Sequence, residues 1–270
     1  MTLRYRRPLL AALGLALVAA TPAAAHRMWI VPSAGTLSSD GYVTFDAAIS
    51  NELFHPDHFP MRLEQVKVWA PDGSEAPMEN PATGKYRSTF DVHLDRPGTW
   101  KIGMVSSGAM GSYMLDGKEQ RFGRGPNAPA GPPEGATDVK LAETMARNEV
   151  FVTQGAPTRT VFRPTGQGLE LQPVTHPNDL VAGEPATFRF LVDGRPAPNL
   201  EVSVLPGGRR YRADEGGMAL KTDARGEIAV KFPVAGLYWM NANAKDARVR
   251  TPGATERRLA YTTTLEVMAP

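Results

Sequence analysis

Five histidines supply the chain's strongest potential for chemistry: His26, His55, His58, His93 and His176. Two of them lie in Phe54-His55-Pro56-Asp57-His58-Phe59, where two imidazoles and a carboxylate fall within four residues. Pro56 and Pro60 favour a loop over a helix, and a loop can turn both rings toward one point. Imidazole nitrogen suits Zn, Cu and Ni, although three or four such donors are needed for a closed site. His26 would add more than a ring if it were the first residue of a processed chain. A terminal histidine offers its amine and its imidazole to the same ion, a chelate that suits Cu(II) and Ni(II).

His93 lies in Asp91-Val92-His93-Leu94-Asp95, and strand alternation places Asp91, His93 and Asp95 on one face. Such a row forms either a carboxylate-buttressed ligand or the polar side of a strand. His176, in Thr175-His176-Pro177-Asn178-Asp179, reads as a turn residue, because Thr, Asn and Asp bond readily to local backbone. Met28, Met104, Met110 and Met114 could serve as soft donors to Cu(I), but Met is also a gap-filler in apolar cores. Trp29, Trp69, Trp100 and Trp239 read as core or interface residues.

The availability of His26 depends on the first 25 residues. Arg4, Arg6 and Arg7 precede an apolar run from Leu9 to Ala20, and Thr21-Pro22-Ala23-Ala24-Ala25 follows. This is the pattern of a secretory signal peptide, with a run too short for a comfortable membrane span. Cleavage after Ala25 is expected, leaving His26 as the mature terminus in the periplasm, with no membrane insertion afterwards. The 30 basic residues less the three leader arginines leave 27 against 28 acidic ones, a formal charge of −1. That balance does not support nucleic-acid binding. With 0 cysteines, thiolate metal sites, thiol catalysis and disulfides are excluded.

The elements that must position these histidines read as strands. The 26 glycines and 24 prolines punctuate short alternating segments such as Tyr42 to Ile49, Val66 to Ala70, Lys85 to Leu94 and Thr99 to Val105. Beyond Gly168, further strands are expected at Leu169 to Val174, Ala186 to Val192, Leu200 to Leu205, Glu227 to Phe232, Leu237 to Ala244 and Thr262 to Val267. The expected fold is all-β, with two Ig-like or transthyretin-like β-sandwich domains. The first spans residues 26–167 and the second 168–270. A Gly/Pro-rich loop over 123–136, expected to be mobile, lies between them with one short helix at Asp138 to Arg147.

Catalytic motifs are absent. The chain has no Gly-x-Ser-x-Gly elbow, no His-Glu-x-x-His and no phosphate-binding Gly-x-x-x-x-Gly-Lys-(Ser/Thr), so no enzymatic activity is expected.

Three segments carry a family resemblance. They are Ala25-His26-Arg27-Met28-Trp29-Ile30-Val31-Pro32, the stretch Leu169 to Leu180, and Thr222-Asp223-Ala224-Arg225-Gly226-Glu227 followed by Pro233-Val234-Ala235-Gly236-Leu237-Tyr238-Trp239. The chain resembles a bacterial periplasmic family catalogued as a domain of unknown function and often labelled a periplasmic component of cobalt or nickel uptake. The resemblance implies association with an envelope metal-uptake transporter. Together with the histidines it gives an expected accessory protein that binds Ni or Co, or alternatively Cu or Zn, through His26, His55, His58 and His93. The competing readings are a structural or carbohydrate-binding sandwich without metal, and a copper protein built on the terminal histidine.

Overall fold

The computed structural model describes residues 26–123 and 128–270. The expected signal peptide over residues 1–25 and positions 124–127 of the Gly/Pro-rich loop lie outside the described residues. Strands of the first half are β1 (Arg27–Pro32), β2 (Thr36–Leu37), β3 (Gly41–Ser50), β4 (Phe59–Pro60), β5 (Val66–Trp69), β6 (Glu75–Ala76), β7 (Glu79–Thr83), β8 (Ser88–Leu94), β9 (Gly98–Leu115), β10 (Lys118–Phe122) and β11 (Thr137–Gln154). They are followed by β12 (Leu169–Pro173), β13 (Pro185–Val192), β14 (Arg195–Pro196), β15 (Glu201–Pro206), β16 (Met218–Lys221), β17 (Glu227–Lys231), β18 (Gly236–Asp246) and β19 (Glu256–Val267).

These strands form three sheets. A five-stranded sheet has the order β1-β3-β8-β7, with β4 on β3, and a four-stranded sheet has the order β12-β13-β14, with β17 on β13. A ten-stranded sheet runs β16-β15-β18-β19-β11-β9-β5-β6, with β10 on β9 and β2 on β11. This large sheet serves both halves of the chain, because β11 pairs in parallel with β19, from Ala142 opposite Glu256 to Glu149 opposite Thr263.

The two small sheets cover opposite faces of the large one. In the first core, Phe45, Phe90 and Val92 pack with Trp100, Ile102, Val150 and Val152. In the second, Phe188, Phe190 and Val230 pack with Val204, Tyr238, Leu259 and Tyr261. Val150 and Val152 belong to one core and the intervening Phe151 to the other, as strand alternation requires of a strand shared by both. A third cluster of Trp29, Ala48, Leu53 and Trp239 ties the edge strand β1 to β18.

The all-β reading therefore holds, but the helix expected over Asp138 to Arg147 does not form. Those residues belong to β11, which pairs with β9 from Lys140 opposite Ser112 to Gln154 opposite Gly98. Because β11 is flanked by strands on both sides and faces both ways, it carries apolar residues at odd and even positions. Ala142 is buried and Met145 packs against the second core, on the other face of the strand. That mixture imitates a helical stripe in sequence. Among the described residues no helix is long and apolar enough to cross a membrane.

Candidate functional site

His26 stands immediately before β1, and the first pair of the β1–β3 ladder is Arg27 opposite Ser50. His26 is thereby held where β3 runs out into the 51–58 loop. That loop is closed by Asp57, whose carboxylate accepts the backbone N–H of Asn51 at 2.8 Å and of Glu52 at 3.3 Å. Trp29 Nε1 donates to Ser50 Oγ at 2.7 Å, fixing the same corner from below. At the far end of the loop, β4 returns to β3 through Ile49 opposite Phe59.

These closures deliver His58 to His26. The two rings stack with centroids 3.7 Å apart and planes 15° from parallel, and Phe59 tilts against His58 at 4.1 Å. An imidazole lone pair lies in the ring plane, so two near-parallel planes do not meet at one ion. Joint coordination requires one ring to turn about its side-chain torsions. His55 is absent from the stack and lies in the same loop as Glu52, whose carboxylate pKa is lowered. The chief cause of that lowering is the Arg210 guanidinium, which bonds the carboxylate at 3.1 and 3.2 Å.

His93 does not join this group. It pairs in register with Tyr42, eight residues along β3 from Ser50, which is about 26 Å away at the rise of a strand. Its ring stacks on Tyr42 at 4.5 Å, and its Nε2 lies 2.9 Å from Asp40 Oδ1, a hydrogen bond that raises its pKa. The carboxylates expected to buttress it are engaged elsewhere. Asp91 accepts from Thr44 and Asn80, and Asp95 from Arg96. The expectation of His93 as a ligand beside His26 is thus corrected by sheet direction, which puts the two residues at opposite ends.

His176 is buried, with Nε2 at 2.9 Å from Thr99 Oγ1 and 3.3 Å from the Thr158 carbonyl, while Nδ1 accepts the Asn178 N–H at 3.1 Å. Burial lowers its pKa. Among the described residues, no three His, Cys, Asp or Glu side chains converge as a metal-holding group. Two imidazoles, one of which must turn before they share an ion, and the His26 amine if the chain is cut after Ala25, are the donors at this corner.

Beside the histidines opens a cleft of about 1070 Å³, lined by His26, Arg27 and Met28 of one wall and Arg209 and Glu215 of another. Its floor is the face of the large sheet that the five-stranded sheet leaves bare. Met104, Asn148, Thr262, Asn241 and Ser203 form a continuous register row across β9, β11, β19, β18 and β15. Ser106, Ala146, Ala260 and Asn243 form the next row. All of these residues line the cleft.

Its walls are held together by paired charges. Arg27 Nη2 bonds Glu215 at 2.6 Å, and the Arg210–Glu52 pair links the 51–58 loop to the loop after β15. Trp239 Nε1 donates to the Met28 carbonyl at 3.0 Å. Gly207 lies so close to Phe54 that a Cβ there would approach the ring to 2.7 Å, which keeps these two loops in contact. On the floor, Asn148 is 3 % exposed, and neither its Oδ1 nor its Nδ2 has a hydrogen-bond partner. No local sequence signal marks this cleft, since its row is assembled from five strands between residues 104 and 262.

Residues 23–246 match a family described as Domain of unknown function (DUF4198). No curated protein matches the chain in sequence. Among solved structures, native alpha-2-macroglobulin from Escherichia coli spanning domains MG0-NIE-MG1 is 10% identical, with 90% of this chain and 71% of that chain covered at a TM-score of 0.22. The Yersinia pseudotuberculosis adhesin InvE is 11% identical, with 90% and 61% covered at a TM-score of 0.23. The D0-D1 domain of Intimin is 12% identical, with 88% and 97% covered at a TM-score of 0.20. These are remote likenesses among chains of low identity and carry no argument about activity.

Proposed function

The chain belongs to that family of unknown function, and from this premise we propose that it is an exported accessory protein that captures a transition-metal ion and hands it to an envelope uptake system. One observation carries the reading: His26 and His58, 32 positions apart, are brought into ring contact at 3.7 Å by the β1–β3 ladder and the closed 51–58 loop. Paired imidazoles suit Ni(II), Cu(II) and Zn(II), and the preference for Ni or Co rests on the family resemblance. The protein acts in this reading by binding and release, not by catalysis. An incomplete donor set is compatible with handover, since positions left to water are open to a receiving partner's ligands. His55 reaches the ion only if its loop turns, and His93 is no longer part of the site.

Calorimetry with Ni(II), Co(II), Cu(II) and Zn(II) on protein beginning at His26 tests the reading. His26→Ala and His58→Ala should each weaken binding by at least ~10-fold, whereas His93→Ala and His176→Ala should leave it unchanged. Binding should weaken in acid, because a protonated ring has no lone pair for the metal. Absence of binding in the unsubstituted protein, or equal binding in all four variants, overturns the metal reading. Dominance of Cu(II) with loss on blocking the amino terminus would favour the copper form of the same site.

A further inference from the structure

We propose that the cleft over the large sheet binds a short uncharged oligosaccharide, with Asn148, Asn241 and Asn243 as its carboxamide contacts. His26 borders this cleft, but the floor contacts lie apart from the histidine pair and need no metal. The charge of the ligand follows from the walls. Arg27 is paired with Glu215 and Glu52 with Arg210, and the Asp57 carboxylate, hydrogen-bonded by two backbone N–H groups, stands against Arg209 on the opposite wall, so the lining carries little net charge. What the floor offers is neutral: the unpartnered Asn148 amide, the chain in which Asn243 donates to Asn241 at 2.6 Å and Asn241 to the Tyr261 carbonyl and Thr262 Oγ1 at 3.0 and 3.1 Å, and the hydroxyls of Ser106 and Ser203. A carboxamide presents a donor and an acceptor together, and a sugar hydroxyl is likewise both.

The spacing selects a glycan over a peptide. Neighbouring members of the Asn148, Thr262, Asn241 and Ser203 row stand one strand apart, about 4.8 Å, a step comparable to the length of one pyranose ring. An extended peptide repeats at about 3.3 Å and would lose register across the same row. Met28, Met104, Leu205 and Trp239 border the floor and offer apolar surface to the C–H faces of a sugar. The volume of about 1070 Å³ lies just above the range of ~300 to 1,000 Å³ for small-molecule sites, leaving room for more than one ring.

Asn148 is the independent sign of a ligand. Buried side-chain amides are nearly always bonded, yet both polar atoms of this one are unpartnered, while two of its row neighbours, Thr262 and Asn241, bond to each other at 3.1 Å. Its amide is also shielded from solvent, so seating a sugar on it requires a neighbour to move. Met104, adjacent in the row, and Met28, on the wall, are unbranched chains suited to that displacement.

The test uses the chain beginning at His26, in EDTA, so that failure of the metal reading does not affect it. Cellobiose, maltose, N,N′-diacetylchitobiose and the corresponding tetrasaccharides are titrated by calorimetry and by tryptophan fluorescence, with triglycine as the peptide arm. At least one saccharide should bind, and Asn148→Ala and Asn241→Ala should each weaken it by ~10-fold or more, with His58→Ala unchanged. Circular dichroism and the urea midpoint confirm that each variant is folded. Binding of triglycine alone, no saccharide binding, or wild-type affinity in both folded asparagine variants overturns the proposal. The last result would assign the Asn148 amide to an ordered water.

Discussion

On β11, Asn148 and Glu149 are neighbours in sequence and face opposite sides of the large sheet. Glu149 looks into a network of paired charges, in which the Arg147 Nε is the one buried atom without a partner. It accepts a hydrogen bond from Tyr261 Oη at 3.0 Å and lies 3.7 Å from both Lys101 Nζ and Arg147 Nη1. Arg147 also donates to Thr165 Oγ1 and the Gln167 carbonyl and faces Glu170, whose carboxylate accepts the N–H groups of Thr165 and Gly166. Asn148, buried beneath the cleft on the other face, makes no side-chain hydrogen bond at all. The same strands thus carry paired charge on one face and, at Asn148, neutral hydrogen-bonding capacity left unused on the other. Matched buried charge holds two elements in one arrangement, whereas unmatched neutral capacity is what an incoming ligand can exploit.

The contrast is broken most severely at Glu149. Replacing it with Ala strands Arg147 and Lys101 without their shared carboxylate, and a loss of about 3–5 kcal/mol in urea unfolding is expected. Asn148→Ala removes an amide that bonds to nothing and should change stability by less than about 1 kcal/mol. Similar losses in the two variants would mean that the faces do not differ as described.

Tyr261→Phe makes a subtler cut in the same network. It deletes one hydrogen bond to a charged partner while keeping the ring in the second core, so about 1.5–3 kcal/mol should be lost by the same measurement. No measurable loss would show that Glu149 is satisfied by Arg147 and Lys101 alone.

The smallest effect is a pH dependence at His176, whose buried ring joins Thr99 of β9 to the turn before β13. Its folded pKa lies below the unfolded value, chiefly through burial, so the unfolded chain binds the proton first. The stabilisation from the neutral ring is complete above ~6.5 and is lost as pH falls from there toward the lowered value. Unfolding titrations across that window should show a slope in the parent protein that His176→Gln lacks. Equal slopes in both would place the acid sensitivity elsewhere.

Much of the scaffold was legible because a strand covered on one face alternates visibly. Tyr42 to Ile49 and Leu237 to Ala244 show this and lie within β3 and β18. β11 was misread where that condition fails, since it is covered on both faces and loses its period. The histidines were legible as donors, and the 51–58 loop as a loop, but the pairing of His26 with His58 and the separation of His93 were not. Each follows from ladder register, which joins residues far apart in the chain.

Residue chemistry was settled by the sequence itself: no thiol, five imidazoles, near-neutral charge and local turn and strand propensities. These depend only on which side chains are present and on their immediate neighbours. Tertiary structure alone decided that one sheet would serve both cores, that His93 would face Asp40 at the far end of the first sheet, and that Asn148, Thr262, Asn241 and Ser203 would fall into one row. The physical reason is that strand pairing is non-local. Backbone hydrogen bonds accept almost any residue as partner, so packing on the two faces, not the identity of the residues in a row, sets the register and with it the composition of the cleft.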